Sequence, residues 1–261
     1  DGLFLGRSPR GEGGVSRITG MTAPRPLLIV QTGRTHDHIR ERLGDFHDWI
    51  EAGLRTGGAE VTTYDARSDT PPPALQTVAG IVLTGSHAMV SDREAWSEAL
   101  VPWLQQAVAV QTPVLGICYG HQLLAHALGG EVAHHPQGVE IGTVRVQRHA
   151  AAQTDALLGH LPDDFEAQAT HWQSVRRLPP GAVLLAGNAF EPHHAFRVGP
   201  SAWGVQFHPE FSAEALRAYV EGMGPVLARA GRDAAQISAG LKDTPLAASV
   251  LPRFARLALN E

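Results

Sequence analysis

One cysteine, Cys118, stands in 261 residues. That excludes an intramolecular disulfide framework and fits a reducing, cytoplasmic compartment. Basic charge is also short: 21 Lys and Arg against 26 Asp and Glu give a net charge of −5. No basic stripe is visible, which argues against nucleic acid as a partner. No apolar run approaches the ~20 residues of a membrane span. Pro26 to Val30 is too short for a signal-peptide core and lacks a cleavage pattern. No GxxxxGK[ST] phosphate loop occurs. The fourteen histidines include none at HExxH spacing, and no second cysteine exists to build a thiolate cluster. No metal and no organic cofactor are therefore expected.

What is present suits an α/β domain with a small extension. The hydrophobic fraction of 43% is enough for a core. Asp1 to Gly20 is rich in Gly, Arg and Ser and reads as a disordered or non-native N-terminal segment. Residues 21–230 read as one domain, and residues 231–261 as a C-terminal helical extension. No internal repeat or flexible linker divides them.

Within the domain, apolar strands alternate with helical spacing. Leu27 to Gln31 reads as a strand. His36 to about Leu54 reads as one helix, with Ile39, Leu43, Phe46 and Ile50 on one face. Strands are expected at Glu60 to Tyr64 and Gly80 to Thr84, and a helix capped at Ser91 running to about Val110. This alternation predicts a parallel, doubly wound sheet. From Glu131 shorter strands follow, at Val132 to His134, Gly142 to Gln147, Ala182 to Ala186, His194 to Val198 and Trp203 to Phe207. A helical piece is expected over Asp155 to Leu161. This half should add antiparallel strands and a mixed edge. Glu214 to Ala230 reads as one helix, and Ala234 to Leu259 as one or two more.

The chemistry concentrates in two stretches. Gly116-Ile117-Cys118-Tyr119-Gly120-His121-Gln122 places the cysteine between glycines at a strand-to-helix junction. That is the pattern of a nucleophile elbow, with the helix N-terminus favouring an anionic nucleophile. Gly204-Val205-Gln206-Phe207-His208-Pro209-Glu210 ends a second strand on a His and a Glu, with Pro209 stiffening the spacing between them. Cys, His and carboxylate are the residue types of thiol acyl transfer. His121, on the first turn of the elbow helix, reads as a polar residue of the helix face.

These two motifs resemble the class I (triad) glutamine amidotransferases. The resemblance extends to Ile81 through Ser86, and to 138–142 and 170–175, which resemble segments of the glutaminase domain of GMP synthase. It covers about Pro26 to Phe211. It implies a flavodoxin-like doubly wound mixed sheet with helices on both faces. It implies Cys118 as nucleophile, His208 as general base and acid, and Glu210 as the orienting carboxylate. Backbone amides of Gly85 and Tyr119 would form the oxyanion hole. Ser86, Gln122, Glu140, Thr170 and His171 would bind substrate. Two departures fall in this last region: Gln173 stands where the GMP synthase type carries Asp, and Trp172 replaces a small residue.

The implied reaction is hydrolysis of the γ-glutamyl amide of glutamine through a glutamyl-thioester, releasing ammonia and glutamate. Three roles stay open. The chain could pass ammonia to a separate synthetase, act alone as a γ-glutamyl peptidase on γ-glutamyl amines or glutathione-like conjugates, or serve as a non-catalytic regulatory subunit.

Overall fold

The computed structural model describes residues 24–260. The N-terminal segment read as disordered or non-native lies outside them.

The strands are β1 (Leu27–Gln31), β2 (Val61–Asp65), β3 (Gly80–Leu83), β4 (Val114–Ile117), β5 (Glu131–His134), β6 (Glu140–Arg148), β7 (Asp164–His171), β8 (Gln173–Arg177), β9 (Val183–Gly187), β10 (Ala195–Val198) and β11 (Ala202–Val205). The helices are α1 (Asp37–Leu43), α2 (Phe46–Arg55), α3 (Ala95–Glu98), α4 (Val101–Ala109), α5 (Tyr119–Ala127), α6 (Ala213–Gly222), α7 (Gly224–Arg229), α8 (Ala234–Ala239), α9 (Pro245–Ala248) and α10 (Val250–Leu259). A nine-stranded sheet runs β2-β1-β3-β4-β11-β10-β9-β6-β7, and β5 pairs with β8 in a separate ribbon. Strands β2, β1, β3, β4 and β11 are mutually parallel. The remainder of the large sheet is antiparallel. The expected mixed doubly wound architecture is therefore present.

Strand alternation splits the core into two layers. Leu27 and Ile29 of β1 point to one face, where they join Ile50 and Leu54 of α2 and Leu251 and Phe254 of α10. Leu28 and Val30 point to the other face, with Leu104 of α4 and Leu123 of α5. The inner parallel strands β1, β3, β4 and β11 are buried on both sides and are continuously apolar or nearly so for that reason, whereas edge strand β2 is partly exposed. Among the described residues, no helix is long and apolar enough to cross a membrane.

Several expected helices are broken. The helix expected from His36 to Leu54 divides into α1 and α2. Gly44 takes φ +86°, and Asp45 caps α2 in a capping box with Asp48. The helix expected from Ser91 becomes a 3-10 turn over Val90–Asp92, then α3 and α4, because Arg93 adopts a left-handed conformation. Asp155 to Leu161 is a set of turns rather than a helix. There the Asp155 carboxylate accepts from the Leu157 and Leu158 amides, an alternative to helical bonding. The expected helix from Glu214 divides into α6 and α7 at Gly224-Pro225, and the C-terminal segment forms three helices rather than one or two.

Strands β7 and β8 had no counterpart in the sequence reading. Besides Phe165 and Val175, their buried positions are Ala167, Gln168, Ala169, His171, Gln173 and Ser174. One large apolar residue per strand among small and polar ones is a weak alternation to detect.

Candidate active site

Strands β4 and β11 bring the two sequence motifs together. They are parallel neighbours, with Gly116 opposite Gly204 and Ile117 opposite Val205. Cys118 and Gln206 therefore leave the sheet at the same edge, and His208 follows two residues later. This is the carboxyl edge of the parallel strands, where α/β sheets bind ligands.

Cys118 sits at the elbow with φ +51° and ψ −103°. A non-glycine residue held there costs on the order of 1–3 kcal/mol and persists only when its surroundings enforce it. The flanking glycines contribute by close approach. A side chain on Gly116 would collide with the Gly120 backbone, and one on Gly120 would lie 2.6 Å from the Leu83 carbonyl oxygen. Gly120→Ala should therefore destabilise the fold by about 1–3 kcal/mol. Chemical denaturation checks this, and an unchanged midpoint would mean that the backbones are not in enforced contact.

The Cys118 thiol lies 3.8 Å from the Thr170 carbonyl oxygen and is 7% exposed. His208 is buried, and its Nδ1 is 2.7 Å from Glu210 Oε1. Burial opposes a charged imidazole, but the Glu210 carboxylate and the neighbouring Cys118 outweigh it and push His208 up to about 10. The His208 amide donates to Gln168 O at 2.8 Å, tying this loop to β7. Phe211 stacks on the ring with centroids 4.1 Å apart.

Gly85 follows β3 at the same edge. A side chain there would come within 3.1 Å of His208 Cε1 and 3.9 Å of Cys118 Cβ, so Gly85 lies beside both. The Tyr119 side chain turns into the core instead. Its hydroxyl donates to Ser97 at 2.7 Å, and burial pushes the phenol up to about 12. The Tyr119 amide stays at the helix start, next to the thiol.

A cavity of about 280 Å³ opens over Cys118. Ser86, Gln122, Thr170, His171 and His208 line it, together with Trp172 and Gln173. Gln122 is not a free surface amide. Its Nε2 donates to Gln173 O at 2.8 Å and to Gln206 Oε1 at 3.0 Å. The Gln173 side chain is tied to the Ser91 amide and hydroxyl. Glu140 lies behind His171 rather than on the cavity wall. Its Oε2 is 2.7 Å from His171 Nε2 and 3.0 Å from His194 Nε2, and its Oε1 accepts from Asn188 at 2.8 Å. Burial works against this carboxylate, but the hydrogen bonds from His171 and His194 prevail and hold it well below the ordinary range. The same three side chains offer ligand atoms within 4.8 Å of one another and could in principle ligate a divalent cation. As they stand, Glu140 Oε2 is shared by the Nε2 atoms of both histidines. His121, read as a helix-face polar residue, is fully buried against Phe196 and Gly204, and that burial holds its ring neutral.

The sequence reading did not anticipate the opposite wall of the cavity. His36, Phe46, His87, Phe211 and Tyr219 converge there from five separate segments, with Met223 and Val226 at the rim. Nothing in their local spacing marks them, because each comes from a loop or helix face that only the fold brings together.

Residues 42–221 match the family model described as glutamine amidotransferase class-I. A glutamine-hydrolysing GMP synthase of Aeropyrum pernix is 33% identical over 184 residues, covering 70% of this chain and 32% of the relative. The chain thus spans about a third of that relative's length. A separate glutamine-hydrolysing GMP synthase subunit of Archaeoglobus fulgidus is 30% identical over 184 residues, covering 68% of this chain and 93% of its own. Among solved structures, a glutamine amidotransferase from Methylobacillus flagellatus aligns with a TM-score of 0.69 at 27% identity, covering 90% of this chain and 93% of its own. One from Thermotoga maritima aligns with a TM-score of 0.72 at 19% identity, over 91% of this chain and 99% of its own, a likeness of fold.

Proposed function

Because the chain belongs to the class I glutamine amidotransferases, we propose that it hydrolyses γ-glutamyl amides, with glutamine the simplest substrate, using Cys118, His208 and Glu210. The observation that carries this reading is the meeting of a strained, glycine-flanked cysteine with a buried His–Glu pair at one sheet edge.

In this mechanism the Cys118 sulfur attacks the γ-carbonyl carbon, and its proton resides on His208. The Gly85 and Tyr119 amides donate to the oxyanion. Loss of one such donor typically costs ~10²–10³ in turnover. The carbon–nitrogen bond breaks as His208 protonates the departing nitrogen. Water then adds to the thioester with His208 as base, glutamate leaves, and the thiol is restored. Glu210 holds the imidazole and balances its charge throughout. Ser86, Gln122 and the Thr170–His171 segment are assigned to the amino-acid end of the substrate. Glu140 acts there at one remove, by fixing His171.

For glutamine the departing group is ammonia, which a separate synthetase would receive. A second reading, a self-sufficient hydrolase of γ-glutamyl amines, is favoured by the aromatic wall beside His208.

A diazoketone analogue of glutamine tests the site directly. It should add once to the protein, at Cys118, and excess glutamine should slow the reaction. Intact-mass and peptide analysis read both results. Labelling elsewhere, or labelling that glutamine does not slow, removes the proposal.

A further inference from the structure

The cavity over Cys118 has two chemically different ends. One end is polar and consists of Gln122, Thr170, His171 and Gln173, while Trp172 of the same segment packs with the apolar cluster of Phe46, Phe211 and Tyr219. The other is a continuous set of rings. Phe211 stacks on His208 at 4.1 Å, and Tyr219 lies 5.4 Å from Phe211. His87 is 5.8 Å from Tyr219, and His36 stacks on His87 at 4.2 Å. Phe46 closes the group against both His87 and Phe211. Among the described residues, no Lys, Arg, Asp or Glu lines the cavity.

Apart from His208, the ring set is fixed and disfavours charge, since burial lowers both His36 and His87. Tyr219 shares a 2.6 Å hydrogen bond with Thr35 Oγ1, and its hydroxyl lies 3.1 Å from His87 Nε2. Burial lowers His87 to about 4, with His36 adding to the effect, so the ring is neutral at physiological pH. Half-buried Met223 and Val226 extend the apolar wall at the rim.

His208 decides which end serves which half of the substrate. It is the group that must protonate the departing nitrogen, and it stands on the aromatic side, stacked on Phe211 and facing Phe46. The leaving group therefore departs into the rings. Ammonia has no apolar surface to bury there. A leaving group with a carboxylate would lose its hydration and meet no Lys or Arg, the one cationic ring there, His208, being already paired with Glu210. An aromatic ring would gain both burial and ring-on-ring contact.

We propose that the leaving-group subsite of this chain is built for an uncharged amine bearing an aromatic ring, so that its preferred substrates are γ-glutamyl arylalkyl or aryl amides. This inference rests on the γ-glutamyl amide reading above and names the second half of the substrate. The covalent steps are those already described, with the aromatic amine leaving in place of ammonia and one water consumed.

A neighbouring cleft supplies the competing prediction. It shares Ser86, His87 and Ala88 with the catalytic cavity and carries Arg34, Asp65 and Arg67. If leaving groups went that way, γ-glutamyl peptides with a free carboxylate would be the better substrates.

The test compares glutamate release from γ-glutamylbenzylamide, γ-glutamylmethylamide, γ-glutamylglycine and glutamine. These are all amides of ammonia or of primary amines on a saturated carbon, so differences in kcat/KM read recognition more than bond reactivity. The benzylamide should exceed the methylamide and γ-glutamylglycine by on the order of 10–100-fold. Val226→Arg should narrow or reverse the benzylamide-to-γ-glutamylglycine ratio, because it places a cation at the rim. Glutamine as the best substrate would overturn the inference and leave the ring set as an ammonia exit. γ-Glutamylglycine as the best would overturn it in favour of the arginine cleft. Both results leave the γ-glutamyl amide reading standing. If no amide releases glutamate and the diazoketone fails to label Cys118, that reading falls and the inference with it.

Discussion

Cys118→Ala should lower glutamate release from any γ-glutamyl amide by roughly 10⁴-fold or more. Alanine removes the sulfur and little else, since the side chain is small and almost buried. What survives is positioning and the oxyanion donors, which alone leave a modest residual rate over water. His208→Ala should fall to a similar level, and the double variant should be no worse than either single one. Residues that act on one covalent intermediate are not additive. The measurement is kcat/KM from glutamate release, with a circular dichroism spectrum to show that the fold is kept. A variant retaining a tenth of the activity would place the nucleophile elsewhere.

Glu140→Leu should cost about 3–5 kcal/mol of stability, the usual penalty for breaking a buried ion pair by removing one partner. Both nitrogens of His171 face oxygen acceptors. Nδ1 lies 2.9 Å from Gln173 O and Nε2 lies 2.7 Å from Glu140 Oε2. An apolar side chain in place of the carboxylate would leave the buried Nε2 atoms of His171 and His194, and the Asn188 amide, without this partner. Glu140→Gln keeps the shape and should cost less.

The pH dependence follows from the same carboxylate. Glu140 is held below its ordinary 4.5 in the folded chain. Its contribution is therefore fully present above 4.5 and is lost as the pH falls further. His208 acts in the opposite sense. Raised from 6.5 to about 10, it contributes fully below 6.5, and the contribution is lost as the pH rises through about 10. Denaturant titrations of the native chain and Glu140→Leu should give curves that converge as the pH drops below 4.5. A constant difference between them would show that the lost energy is packing rather than charge.

The sequence alone went furthest where local geometry and chemistry coincide. Gly116, Cys118 and Gly120 mark an elbow because close backbone approach and a strained turn leave a signature in residue size. His-Pro-Glu is legible because the pair His208–Glu210 is local, closed within two residues. The inner parallel strands were readable from continuous apolar runs, since both of their faces are buried. Helix ends were less legible, because Gly44, Arg93 and Gly224-Pro225 break helices through backbone conformation within stretches whose apolar spacing continues.

Tertiary structure decided the rest. Cys118 and His208 meet only because β4 and β11 are neighbours in register. Gln122 points its amide at Gln173 and Gln206, contacts that a helical wheel does not contain. Glu140 falls behind His171 instead of facing substrate, as a consequence of β6–β7 pairing that sets Glu140 opposite His171. The aromatic end of the cavity is the extreme case. His36, Phe46, His87, Phe211 and Tyr219 have no shared period or motif, and each would serve equally well as an ordinary core or surface residue. Periodicity reports which face of one element is buried. It carries no information on which faces of different elements share a cavity, and substrate choice is written in that second kind of proximity.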